Sequence, residues 1–159
     1  MQKFHFLLLL VLFSGSVLLP EKSFSQLKIY KFELIDSLQN IQKRNIIVFI
    51  HTDWCKFCAA MQNTTLRNKD VIAKLNNSFY YIDLNAEEKK TIYFHGKNYE
   101  FKPSGNQTGI HELAIKLGTI NGLINYPTLC IINNKNEIVY QHNTYLNAKD
   151  LMQILTNLY

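Results

Sequence analysis

The feature that most constrains this chain is the passage from an apolar run, Ile46-Ile47-Val48-Phe49-Ile50, into Trp54-Cys55-Lys56-Phe57-Cys58. Apolar residues without alternation read as a central strand covered on both faces. Ala59-Ala60-Met61-Gln62-Asn63 then offers good helix formers and no breaker, so Cys55 falls at the first turn of a helix. The unpaired N–H groups of that turn and the helix dipole favour a thiolate over a thiol. Cys55 is therefore expected to be the attacking sulfur, with a depressed pKa. Cys58 lies one turn on, near enough to close a disulfide and shielded by the helix behind it. The pair reads as a redox switch.

Two other uses of a CxxC are open to such a pair. Half a zinc site needs two more ligands, and the only other cysteine, Cys130, has no CxxC or Cys-x-His partner beside it. No metal is expected. An inert structural disulfide is the second alternative, but a bridge this short constrains little of the unfolded chain.

The 159 residues carry a net charge of +5 and suit one globular domain. Residues 1–25 read as a secretory signal: a basic Met1-Gln2-Lys3, an apolar stretch from Phe6, and Ser23-Phe24-Ser25 where a signal peptidase would cut. The apolar stretch is short and interrupted for a membrane span, although an uncleaved anchor is the competing reading. The expected mature domain is 26–159, with no membrane insertion once the signal is gone. Losing Lys3, Lys22 and Glu21 lowers the charge by one. The remaining basic residues are scattered, which excludes the basic stripe that nucleic acid requires. Export to the periplasm or cell envelope places the cysteines in an oxidising compartment.

Elements follow in order. The apolar spacing of Ile29, Phe32, Leu34, Ile35, Leu38 and Ile41 predicts a helix over 27–43. After the 46–50 strand and the cysteine helix come a short helix over 71–75, broken by Asn76-Asn77-Ser78, and a strand over 79–84. The 85–109 stretch contains an expected hairpin, 91–95 with 99–102, then a loop at Pro103. A helix over 110–117 and a connection over 119–126 lead into Pro127. Strands over 128–132 and 137–142 form a hairpin, and Asn147 caps a last helix.

With Trp54-Cys55-Lys56-Phe57-Cys58 and Tyr126-Pro127-Thr128 as its signature residues, this order resembles the thioredoxin-like superfamily, most closely its secreted bacterial CxxC members. The resemblance implies an α/β thioredoxin-like fold. Its central mixed sheet is flanked by helices, and the hairpin insert precedes the helix that leads to the cis-proline. It implies that Pro127 is cis, at a cost of about 0.5–1 kcal/mol, and lies against a Cys55–Cys58 disulfide. Trp54, Tyr126 and Pro127 would then bind an extended substrate segment. Thioredoxins proper hold a buried Asp six residues before the first cysteine; that position is Phe49 here. Lys56 and Phe57 stand where Gly-Pro is usual, and a cation beside Cys55 favours its thiolate.

The implied function is a thiol–disulfide oxidoreductase acting on protein disulfides, with Cys55 attacking and Cys58 resolving. It needs no cofactor and an upstream redox partner as electron donor or acceptor. A thioredoxin-like binding module with a structural or vestigial CxxC is the alternative. His51 and Asp53 are candidates for proton traffic beside the cysteines. Cys130, between Leu129 and Ile131, is expected to be a buried inert thiol. Asn63-Thr64-Thr65 matches a glycosylation sequon but falls on the cysteine helix. His95 and His111 have no partner that the sequence can name.

Overall fold

The computed structural model describes residues 26–158, so the expected signal sequence lies outside the described residues. The apolar run forms strand β1 (Asn45–His51), in which Ile46 to Ile50 are all fully buried. It pairs in parallel with β2 (Phe79–Asn85) and antiparallel with β9 (Thr128–Ile132), and β9 pairs antiparallel with β10 (Ile138–His142). The sheet order β10-β9-β1-β2 makes it mixed, with β1 and β9 inside.

Side chains of β1 alternate between two cores, as the strand period requires. Ile46, Val48 and Ile50 pack in one with Ile35 of α1 (Ile35–Ile41) and with Leu113, Ala114 and Leu117 of α4 (Glu112–Gly118). Ile47 and Phe49 pack in the other with Cys58 and Met61 of α2 (Lys56–Asn63), Val71 and Leu75 of α3 (Lys69–Ser78), and Leu151 and Leu155 of α5 (Ala148–Asn157). Helices therefore flank both faces of the sheet. Asn68 caps α3 by accepting from the Asp70 and Val71 N–H groups, and Asn147 caps α5 through the Asp150 N–H.

Several boundaries differ from the sequence expectation. The stretch expected as one helix over 27–43 is extended as far as Lys31, makes a 3₁₀ turn at Phe32–Leu34, and is helical only through α1. Its beginning is tied to the open edge of β2 instead: the Tyr30 N–H donates to the Tyr81 carbonyl at 2.8 Å. Asn76 explains both this and the second difference. It was expected to end the helix, yet α3 runs on to Ser78, because the Asn76 side chain accepts from the Lys28 N–H and donates to the Gln26 carbonyl. A residue that breaks a solitary helix is retained where its amide satisfies a neighbouring backbone.

The insert is more ordered than the sequence suggested. β3 (Ile92–Phe94) and β4 (Lys97–Tyr99) close on His95-Gly96, both at positive φ, the geometry of a tight hairpin turn. β5 (Phe101–Pro103) pairs with β6 (Gly109–His111), so 110–111, expected as helix, is strand and α4 starts at Glu112. The 119–126 connection folds into a small hairpin, β7 (Thr119–Ile120) with β8 (Leu123–Ile124), around Asn121-Gly122, again both at positive φ. Phe94 of the insert meets Phe32 edge to face, with centroids 4.9 Å apart.

His111 joins the insert to the core. It is fully buried, and its Nδ1 accepts the Leu113 N–H at the start of α4. Its Nε2 is buried without a hydrogen-bond partner. Burial lowers its pKa, against the opposing pull of the Lys90 and Tyr99 backbone, Glu88 and Glu112.

Two tests follow from this packing. A Cβ at Gly109 would stand 2.3 Å from the Lys102 carbonyl oxygen and 2.5 Å from the Phe101 ring. Gly109→Ala should therefore destabilise the protein by about 1–3 kcal/mol, read from denaturant midpoints. A folded-state pKa lowered below the ordinary 6.5 means that the unfolded chain takes up the His111 proton first. Its contribution to stability is complete above pH 6.5 and is lost as pH falls toward the lowered value. His111→Asn, which keeps a capping group, should flatten that part of the acid limb.

Candidate active site

The end of β1 delivers the chain into a turn in which the Cys55 N–H donates to the Thr52 carbonyl at 3.2 Å. Cys55 is the N-cap of α2: the Cys58 N–H points at its sulfur at 3.1 Å, and its carbonyl accepts from Ala59 at 3.0 Å. The two cysteines are joined by a disulfide across one helical turn. Cys55 is 6 % exposed and Cys58 1 %. That difference is small, and both belong to the apolar core with Phe49 and Met61, so the chemical asymmetry rests on the helix N–H that Cys55 Sγ receives.

Aromatic side chains surround the disulfide. Trp54 and Phe57 are each 67 % exposed, unusual for residues of that size. Trp54 Nε1 donates to Glu87 Oε1 at 3.1 Å, and the Trp54 ring meets Tyr126 edge to face at 6.0 Å. The Tyr126–Pro127 peptide is cis. Burial, with the Glu87 charge adding to it, pushes the Tyr126 hydroxyl up to about 12, so it stays protonated.

Phe57, Tyr126, Pro127 and Tyr145 line a groove of about 450 Å³, completed by Asn125, Asn143 and Thr144. Phe57 lies between the two cysteines, so one groove joins the CxxC turn to Pro127. It holds no formal charge. Tyr145 is linked to α2 through Thr64, its hydroxyl 3.3 Å from Thr64 Oγ1.

The remaining residues singled out from the sequence fall into two groups. His51 stays beside the site: its Nε2 lies 2.5 Å from Asp83 Oδ1 on β2, and its ring stacks on Phe49 at 5.6 Å. Burial lowers the pKa of His51, but the hydrogen bond and charge of Asp83, helped by the Thr52 backbone and Asp53, leave it raised. Asp53 turns outward and accepts from Asn85 Nδ2 at 3.0 Å. Lys56 is exposed at the first residue of α2. Cys130 lies in the opposite core with Val48, and burial pushes its thiol up to about 12. His95 contacts Asp36 of α1 at 2.6 Å, which ties the turn of the insert to that helix. Asp83, Glu87 and Tyr145 were not singled out from the sequence. Asp83 alone left a signal there, as an acid inside the aromatic strand Phe79-Tyr80-Tyr81-Ile82.

Residues 33–159 match the thioredoxin-like domain family. The chain belongs to that family. Its fold is similar to a DsbH oxidoreductase, at 16 % identity and a TM-score of 0.60 over 91 % of this chain and 94 % of the other. It is similar also to a thioredoxin from Thermus thermophilus, at 17 % and 0.59 over 84 % and 88 %. A disulphide isomerase from Xylella fastidiosa Temecula1 aligns at 12 % and 0.52 over 90 % and 98 %. No curated protein sequence matches the chain at a significant level. Among the described residues, no group of three or more His, Cys, Asp or Glu is placed to hold a metal ion. No described helix is long and apolar enough to cross a membrane.

The position of the two cysteines predicts different reactivity in the reduced protein. Iodoacetamide near pH 6 should modify Cys55 faster than Cys58, because an ordinary thiol of pKa about 8.5 is then almost wholly protonated. Cys130 should react only after denaturation. Peptide mass mapping over time checks this, and equal labelling of Cys55 and Cys58 would reverse the assignment.

Proposed function

We propose that this thioredoxin-like protein is a thiol–disulfide oxidoreductase that acts on protein disulfides in the cell envelope. The observation that carries the reading is the Cys55–Cys58 disulfide at the head of α2, where Phe57, between the two cysteines, lines one uncharged groove together with Pro127. An extended peptide can lie in such a groove with its sulfur over Cys55 and its backbone beside Pro127. Tyr126, Phe57 and Tyr145 supply apolar contact on either side of it, and Trp54 adds an exposed aromatic face. Export is supported by the leader-like character of 1–25, which precede the family match at residue 33.

In the reducing direction, the Cys55 thiolate attacks one sulfur of the substrate disulfide. A Cys55–substrate bond forms, and the second substrate sulfur leaves with the bonding pair. The Cys58 thiolate then attacks Cys55 Sγ, the internal disulfide closes, and the first substrate sulfur leaves as a thiolate. Two electrons pass to the substrate, and a partner dithiol restores the Cys55–Cys58 dithiol by the same exchange.

The test is reduction of insulin by the mature protein with a dithiol donor. Turnover should be abolished by Cys55→Ser, and Cys58→Ser should accumulate mixed disulfides visible on non-reducing gels. Full turnover in the Cys55→Ser variant, or none in the native protein, would favour a binding module whose disulfide is structural.

A further inference from the structure

The resolving step asks for something that the mechanism above leaves unassigned. Cys58 is buried among apolar side chains, where the thiol is favoured, yet it must act as a thiolate. Some group has to take its proton. Phe49, the strand residue in that core, has no atom that can.

One polar pair interrupts this side of the molecule. Ile47, Phe49 and His51 alternate onto one face of β1, and Tyr81 and Asp83 onto the same face of β2. Ile47, Phe49 and Tyr81 belong to the core that contains Cys58. His51 and Asp83 continue that face, 12 % and 25 % exposed, with Nε2 and Oδ1 2.5 Å apart. Gln62 follows Cys58 by one helical turn, so the two share a side of α2. Gln62 and Asp83 line the same pocket, of about 250 Å³, together with Leu66, Tyr81 and the extended 26–29 stretch. Open space therefore reaches from solvent to the Asp83 carboxylate beside Gln62 of α2. Thr52, between His51 and the cysteine turn, is buried, and its hydroxyl is without a hydrogen-bond partner.

We propose that the His51–Asp83 pair, on the face of the sheet that packs against Cys58, accepts the Cys58 proton in the resolving step and passes it to solvent through the pocket beside Gln62. This rests on the oxidoreductase reading. The proton leaves Cys58 Sγ for His51, Asp83 holds the imidazolium, and the electron pair left on Cys58 Sγ forms the bond to Cys55 Sγ. The substrate thiolate that departs takes its proton from water. Asp83 from β2 and Asp53 from the turn are the charges that act on His51. The parts of α2 and the 26–29 stretch that line the pocket contribute Gln62, Gln26, Leu27 and Ile29, none of which titrates. Both carboxylates favour the imidazolium and hold the His51 pKa above its ordinary value, which strengthens it as a proton acceptor.

The experiment is stopped-flow oxidation of the reduced mature protein by oxidised glutathione, followed by the fluorescence of Trp54, the only tryptophan in the chain. At high glutathione disulfide the unimolecular closure by Cys58 limits the rate, while at low concentration the bimolecular attack by Cys55 does. In the native protein, closure should accelerate as pH rises through an ionisation above 6.5. His51→Gln should slow closure at pH 7 about tenfold or more, remove that ionisation from the profile, and leave the bimolecular rate within about twofold. Asp83→Asn should slow closure in the same way by a smaller factor. A folded His51→Gln variant with the native closure rate and profile would overturn the assignment. A native profile that follows only an ordinary thiol near 8.5 would overturn it too, even if neither variant folds. Loss of both kinetic phases in the native protein would overturn the oxidoreductase reading and this assignment with it.

Discussion

The register between β1 and β9 is the constraint on which this site depends. Ile50 stands opposite Thr128 in the antiparallel ladder. The next residue on one strand is His51 and the preceding one on the other is Pro127, so both chains leave the sheet at the same edge. One runs into the cysteine turn and the other arrives through Tyr126. A slip of one residue would turn every side chain of β1 to the opposite core, and five fully buried residues forbid it. Burying each is worth about 1.5–3 kcal/mol against exposure, an upper bound because unfolded chains already hide some surface. The juxtaposition of CxxC and proline is thus held by packing some distance from the sulfur chemistry.

The groove built on that register is uncharged, and exposed aromatic side chains flank it. Trp54 and Phe57 would lose little side-chain entropy on binding, having two rotatable bonds each, and they present large area. Trp54 is held by Glu87 and Tyr126, so its orientation is set before a partner arrives. The groove from Phe57 to Tyr145 would select by shape and backbone pairing, since no charged side chain lines it.

What the sequence made legible followed from burial pattern and local chemistry. Ile46 to Ile50 and Leu129 to Ile132 are apolar on both faces, and Phe79 to Leu84 is rich in aromatic and branched residues, which favours strand. Cys55 and Asn147 fall at helix starts because their side chains accept N–H groups that a helix leaves free. The errors arose where long-range hydrogen bonds outweigh periodicity. The 27–31 stretch has helical spacing but spends its backbone on β2 and Asn76. Asn76 itself sits inside a helix because it is paired with residues 48 and 50 positions away. His111 begins a helix rather than continuing one because the 109–111 backbone is taken up by β5. Nothing in a single sequence marks those partners. The groove wall at Asn143–Tyr145 is in the same class, being a loop brought to the site only by the return of β10.

The exchange of charge between β1 and β2 completes the physical picture. Phe49 and Asp83 are direct neighbours across the parallel ladder. Phe49 thus has an acid beside it on the edge strand of the sheet. An ionised group at the fully buried position of Phe49 would pay a desolvation cost of several kcal/mol. At Asp83 the cost is smaller, because the strand is at an edge, the side chain is a quarter exposed, and His51 lies within hydrogen-bond distance and brings an opposing charge when protonated. Phe49 fills that buried position and stacks on His51. Hydrophobic burial at the centre and ionic pairing at the margin are then each placed where their energetics are most favourable, on the face of the sheet that carries the cysteines.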